Sequence, residues 1–167
     1  NTGISGKIYF KPNSDWTCDN ARFAVYVWNS DSKIWTDLKD SDSDGIYECT
    51  LPSGVWTQCI FARMTPKNTE NNWDNVWNQT GDLGLSNNNN YFRIADGWDT
   101  SEGSWSIIDE SVIGANSGFS LVGAFNDWDE TSNQLINTTY NKAVTTIDLP
   151  EGTYKFKLFN NNEWFSN

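Results

Sequence analysis

Ala21-Arg22-Phe23-Ala24-Val25-Tyr26-Val27-Trp28 is the stretch whose reading decides the fold. Nearly every position is β-branched, aromatic or small. Alternation sends Phe23, Val25 and Val27 to one face and Ala24, Tyr26 and Trp28 to the other. The first face is an ordinary core. The second sets a Tyr and a Trp side by side, large flat groups with polar edges. A second packed layer, an interface and a ligand platform are all open readings of that face. Trp35 follows seven residues later in a polar setting, beyond a turn at 29–33, where it can close over the same side.

Outward from this strand, short runs of the same character recur at 7–11, 45–51, 58–65, 90–94 and 104–108. Turn chemistry separates them: Asn13-Ser14-Asp15, the Asp-rich 40–45, Pro52-Ser53-Gly54, and the Asn-rich 68–75 and 86–90. No segment has a 3.6-residue apolar period of helical length. Residues 110–117 are polar and small, and read as a linker. Beyond it a second strand series begins, at 119–124, 143–149 and 153–159. The expectation is an all-β chain: an immunoglobulin-like β-sandwich over 1–109, and a shorter, partial β-sandwich over 118–167.

Composition removes many functions. The 167 residues hold 11 basic and 22 acidic side chains, a net charge of −11. That balance argues against nucleic acid and anionic lipid. Histidine is absent, so His-based triads and His-ligated zinc are excluded. No apolar run approaches the roughly 20 residues that cross a bilayer, so membrane insertion is not expected. The start at Asn1, without an initiator Met, reads as a mature or excised piece of a larger multimodular protein. Composition rich in Asn, Ser, Thr, Gly and Trp suits a secreted or cell-surface location. Ten tryptophans exceed what a core of this size needs, which calls for a surface role.

Exposed aromatics beside amides and carboxylates suit sugar. A pyranose has an apolar face of C–H bonds and a rim of hydroxyls. Stacking one ring removes about 60–80 Å² of apolar area from water, contributing about 1.5–2 kcal/mol. Two or three platforms then give roughly micromolar to millimolar affinity. This reasoning fits any glycan.

Further motifs narrow it. Ile8-Tyr9-Phe10-Lys11-Pro12-Asn13 with Trp16, the run 19–28, Asp40-Ser41-Asp42-Ser43-Asp44-Gly45-Ile46-Tyr47-Glu48, Ile60-Phe61-Ala62-Arg63-Met64 and Asn71-Asn72-Trp73-Asp74-Asn75-Val76-Trp77-Asn78-Gln79-Thr80 lie in the first region. Together they resemble the family 26 starch-binding modules of bacterial amylases and starch-adherence proteins, over about 1–109. The resemblance implies that Tyr26, Trp28 and Trp35 cradle an α-1,4-glucan, with Gln79 and, more weakly, Arg63 as polar partners. Leu121-Val122-Gly123-Ala124-Phe125-Asn126-Asp127-Trp128, then 149–157 and Trp164, resemble the family 48 glycogen-binding modules. That resemblance implies a second glucan site at Trp128, Lys157 and Trp164. The family's later asparagine contact has no counterpart.

Rival readings remain. Asp40, Asp42, Asp44 and Gly45 open like an EF-hand calcium loop, but position 12 is Leu51 and flanking helices are not expected. An acidic hairpin turn accounts for them, with calcium as the alternative, and no other cofactor is implied. Cys49 and Cys59 flank the expected hairpin at 52–54 and can face each other, but three cysteines make no disulfide framework. Paired carboxylates would suit a glycoside hydrolase fragment. The acids, however, sit mostly in turns, and no G-x-S-x-G or phosphate loop is present. The expectation is therefore a non-catalytic binder of starch, amylose and maltooligosaccharides that tethers a cell surface or an enzyme. The alternative is a protein–protein adhesion or scaffold module with aromatic interface residues.

Overall fold

The structure, a computed structural model, describes residues 3–87, 89–109, 113–139 and 142–165. The chain is all-β and divides into two compact units, one ending at Ile108 and the other beginning at Asp109. Part of the expected linker, 110–112, lies outside the described residues. Its last two residues already belong to a strand.

The first unit is a β-sandwich. One sheet orders β4 (Tyr47–Thr50), β1 (Lys7–Lys11), β8 (Tyr91–Ile94) and β9 (Gly103–Ser106). Its β1–β8 pair is parallel, and the others are antiparallel. The other sheet orders β3 (Lys33–Leu38), β2 (Arg22–Trp28), β5 (Gln58–Met64) and β6 (Val76–Gln79), with short β7 (Leu83–Gly84) also on β5. Phe23, Val25, Val27, Cys59 and Phe61 meet Ile8, Phe10, Phe92 and Ile94 in one core cluster. Phe61 stacks between Phe10 (4.7 Å) and Phe92 (5.5 Å) at near-parallel angles. Burying each such ring contributes about 2–3 kcal/mol before entropy, so this stack anchors the two layers.

Pro52-Ser53-Gly54 differs from expectation. It links β4 in one sheet to β5 in the other, so it is an arch across the core rather than a hairpin. Turn residues set where the chain bends, not which sheet the next strand joins. β3, β6 and β7 are strands beyond those expected, and of their residues only Lys33 falls in an expected turn.

The second unit is one five-stranded antiparallel sheet: β12 (Lys142–Val144), β11 (Gln134–Thr139), β10 (Asn116–Gly123), β13 (Phe156–Asn160) and β14 (Glu163–Phe165). Among its described residues no second sheet faces it. The expected strand at 143–149 is only the short β12, and 153–159 shifts to β13. Register puts Leu121, Leu158 and Phe165 on one face, and Val122, Lys157, Phe159 and Trp164 on the other. Among the described residues no helix is long and apolar enough to cross a membrane.

Candidate functional site: an aromatic face on the first unit

The alternation of β2 holds in three dimensions. Phe23, Val25 and Val27 are buried against the core, while Tyr26 and Trp28 point to the opposite face with partial exposure. Trp35 lies on β3, directly across from Tyr26 in the ladder. The three residues expected to form a platform are therefore together. Tyr26 is 5.6 Å from Trp28 and 4.9 Å from Trp35, centroid to centroid, with the ring planes inclined at 39° and 51°. Beyond Trp28 a notch of about 380 Å³ is lined by Tyr26, Trp28 and the Asn29-Ser30-Asp31-Ser32-Lys33 turn.

A fourth ring completes the cluster. Trp73 lies 5.1 Å from Tyr26 and 4.7 Å from Trp35, edge-on to both, and is 46% exposed. It opens a one-turn 3-10 helix, Trp73–Asn75, capped by the Asn72 side chain accepting from the Asn75 amide at 3.1 Å. Arg22 holds the preceding loop. Its Nε donates to Thr65 and Asn68 carbonyls at 3.1 and 2.8 Å, and Nη2 donates to the Glu70 carbonyl at 2.6 Å. Nη1 donates to Asn71 Oδ1 at 2.5 Å and Asp37 Oδ1 at 3.3 Å. Sequence reasoning gave Trp73 no surface role. The available signal was Asn72-x-x-Asn75, a capping spacing that turns a loop into a fixed mount.

Gln79 is exposed on the same sheet face, paired with Ala62, two strands or about 10 Å from the strand of Tyr26. Its side chain has no partner among the described residues. Between it and the rings lie Ala24 and Ala62, both fully buried beneath Trp35 and Val76.

Arg63 lies elsewhere. Its register with Phe23 turns it to the other face of the sheet, and it is 3% exposed. Nε donates to the Trp16 carbonyl at 2.8 Å, and Nη2 to the Cys18 carbonyl at 2.8 Å and Asp19 Oδ2 at 2.9 Å. Trp77 and Trp98 cover its guanidinium at 4.7 and 5.0 Å. Burial and these partners leave the guanidinium no edge for a sugar, so the structure separates Arg63 from Tyr26, Trp28, Trp35 and Gln79.

In the second unit Trp128 and Trp164 meet at 6.3 Å, and Lys157 Nζ lies 5.9 Å from the Trp164 ring. The three expected residues are neighbours. A cavity of about 710 Å³ is lined by Trp128, Tyr154, Lys155, Phe156, Lys157, Leu158 and Phe165. Asn126 shapes the turn that carries Trp128, accepting from the Gly123 amide at 2.9 Å and donating to Asn133 Oδ1 at 2.9 Å. The Thr131 hydroxyl and amide hold Asp129 below its usual carboxylate range.

Asp40, Asp42 and Asp44 bring one carboxylate oxygen each within 4.8 Å of one another. Those oxygens already serve the turn: both Asp40 oxygens accept, from the Asp44 and Gly45 amides at 3.0 Å each, and Asp44 accepts from the Ile46 amide at 2.7 Å. The three cysteines are free thiols. Burial, then Asp37 and Glu48, pushes Cys49 up to about 12, and burial pushes Cys59 well above the usual thiol range. No family model matches the chain, and no curated protein matches it in sequence.

Proposed function

We propose that the first unit is a non-catalytic module that binds starch, amylose and maltooligosaccharides on the Tyr26, Trp28, Trp35 and Trp73 face. The observation that carries this reading is the inclination of the rings. Neighbouring planes differ by 39–67°, so successive sugars stacked on them must turn relative to one another. An α-1,4-glucan turns in this way, whereas a β-1,4 chain is a flat ribbon that suits coplanar rings. Gln79 supplies amide donors and acceptors for hydroxyls at the rim.

The resemblance to family 26 modules, with their immunoglobulin-like sandwich, belongs to the same reading. So does a place outside the cell, on a surface protein or a secreted enzyme that the module holds against starch. Concentrating a partner near an insoluble polymer raises its effective concentration without any chemistry in the module itself.

A second glucan site on Trp128, Lys157 and Trp164 is favoured by the meeting of those three side chains beside the 710 Å³ cavity. Calorimetric titration with maltoheptaose and cellohexaose tests the proposal. Micromolar to millimolar binding of the first and none of the second is expected. Equal binding of both, or of neither, would leave the ring geometry without the proposed role. Release of reducing sugar from starch by the purified chain would restore the enzyme reading.

A further inference from the structure

The aromatic face does not end at Trp35. Along β3, Trp35 and Asp37 lie two residues and about 7 Å apart on the same side, and Lys39 follows the strand where it bridges Glu48 of β4. Beside them, where β3 and β4 approach each other through the Lys39–Glu48 bridge, lies a groove of about 570 Å³. Its walls include Trp35, Thr36, Asp37, Lys39, Glu48 and Asn71. Trp35 thus belongs to both the ring cluster and the groove.

The polar groups here are held in place before any ligand arrives. Asp37 Oδ1 accepts from Asn71 Nδ2 at 2.8 Å and from Arg22 Nη1 at 3.3 Å. Its Oδ2 has no partner among the described residues, and the side chain is 51% exposed. Lys39 is exposed, and its ammonium likewise has no partner among the described residues. Thr36 Oγ1, on the groove wall, is buried without a hydrogen-bond partner. An oriented carboxylate oxygen and a free ammonium, one residue pair beyond a stacking ring, match the donor and acceptor sides of vicinal sugar hydroxyls.

We propose that this groove is an additional sugar subsite, in which Asp37 and Lys39 hold the hydroxyls of glucose units beyond the one stacked on Trp35. The subsite rests on the α-glucan reading of the aromatic face, and extends it into a path of about 17 Å along β3, from Lys33 to Leu38, with Lys39 just beyond its end. Short oligosaccharides fill the rings around Tyr26. Longer ones also reach the groove, so the module discriminates by chain length. The neighbouring Arg22 is a positioning residue: it fixes Asp37 and, through the 65–71 loop, Trp73.

The test is calorimetry on the intact chain with maltotriose and maltoheptaose, comparing wild type with Asp37→Asn and Lys39→Ala. Lys39 is exposed at the surface, so its replacement keeps the comparison available if Asp37→Asn disturbs the loop. Each variant is expected to lose about fivefold in maltoheptaose affinity, as for one charge-assisted rim contact, while maltotriose affinity stays within about twofold. Unchanged maltoheptaose affinity in both variants would overturn the subsite and leave the aromatic face standing. Equal losses for both sugars would overturn it too, because the residues would then act through the rings. Absence of wild-type binding to either sugar would overturn the subsite together with the function it rests on.

Discussion

Trp77 and Trp98 are 43% and 44% exposed and Trp73 is 46% exposed, yet the three indoles have different neighbours. Trp77 and Trp98 cover the guanidinium of Arg63. Trp73 meets two other rings, Tyr26 and Trp35, at steep angles. In the first group the space between aromatics is filled by the protein's own cation. In the second, Tyr26 and Trp28 line an open notch and Trp35 an open groove. Exposure alone therefore does not mark a sugar platform. What decides is whether the chain has already used the faces.

The sharpest contrast comes from removing the filler. Arg63→Ala leaves the Trp16 and Cys18 carbonyls without their donor and two indoles without their cation. It is expected to lower unfolding free energy by about 3 kcal/mol in urea titration. The folded fraction should keep its maltoheptaose affinity; a stable variant that no longer binds sugar would reverse the assignment. Arg22→Ala strikes the other group through its mount. Losing contacts to Thr65, Asn68, Glu70 and Asn71 should cost about 2 kcal/mol of stability, and weaken maltoheptaose binding as Trp73 loses its position. Trp73→Ala should lower affinity about fivefold, or about 1 kcal/mol, with a smaller change in stability. Full affinity in that variant would remove Trp73 from the site.

The smallest expected effect separates the surface from the core. Exposed Cys18 should react with a disulfide reagent in the native protein, whereas buried Cys59 should react only after unfolding. Because burial raises the thiols of partly buried Cys49 and buried Cys59, the folded chain keeps protons that the unfolded chain releases above the usual thiol value of 9. Stability should therefore fall as pH rises from about 9 towards 12. Tyr47, also raised by burial and by Asp40, acts in the same direction. Melting temperatures at pH 8 and 10 check the sign. A rise would contradict the burial of these groups.

The legibility of the sequence varied with position in the sheet. β2 was readable because a central strand with one core face alternates strictly. β3, Lys33-Ile34-Trp35-Thr36-Asp37-Leu38, also alternates, but it is an edge strand with a charged outer face, and the preceding turn masked its start. β6, Val76–Gln79, begins directly after the Asn-rich 68–75 and is only four residues long, so its strand character shows in its pairing with β5. Tyr26, Trp28 and Trp35 were legible from parity and spacing. Arg63 carried an unread warning: a charge at core parity with Phe61, inside an apolar run, requires buried partners. Trp73 could not be placed from sequence, since its approach to Tyr26 depends on five Arg22 hydrogen bonds spanning distant residues.

One paired measurement bears most directly on the central claim: maltoheptaose titrated calorimetrically into Trp28→Ala and Trp77→Ala. Trp28→Ala is predicted to lose at least about tenfold in affinity, or about 1.4 kcal/mol, while Trp77→Ala binds like the wild type. Retained affinity in Trp28→Ala with loss in Trp77→Ala would contradict the account.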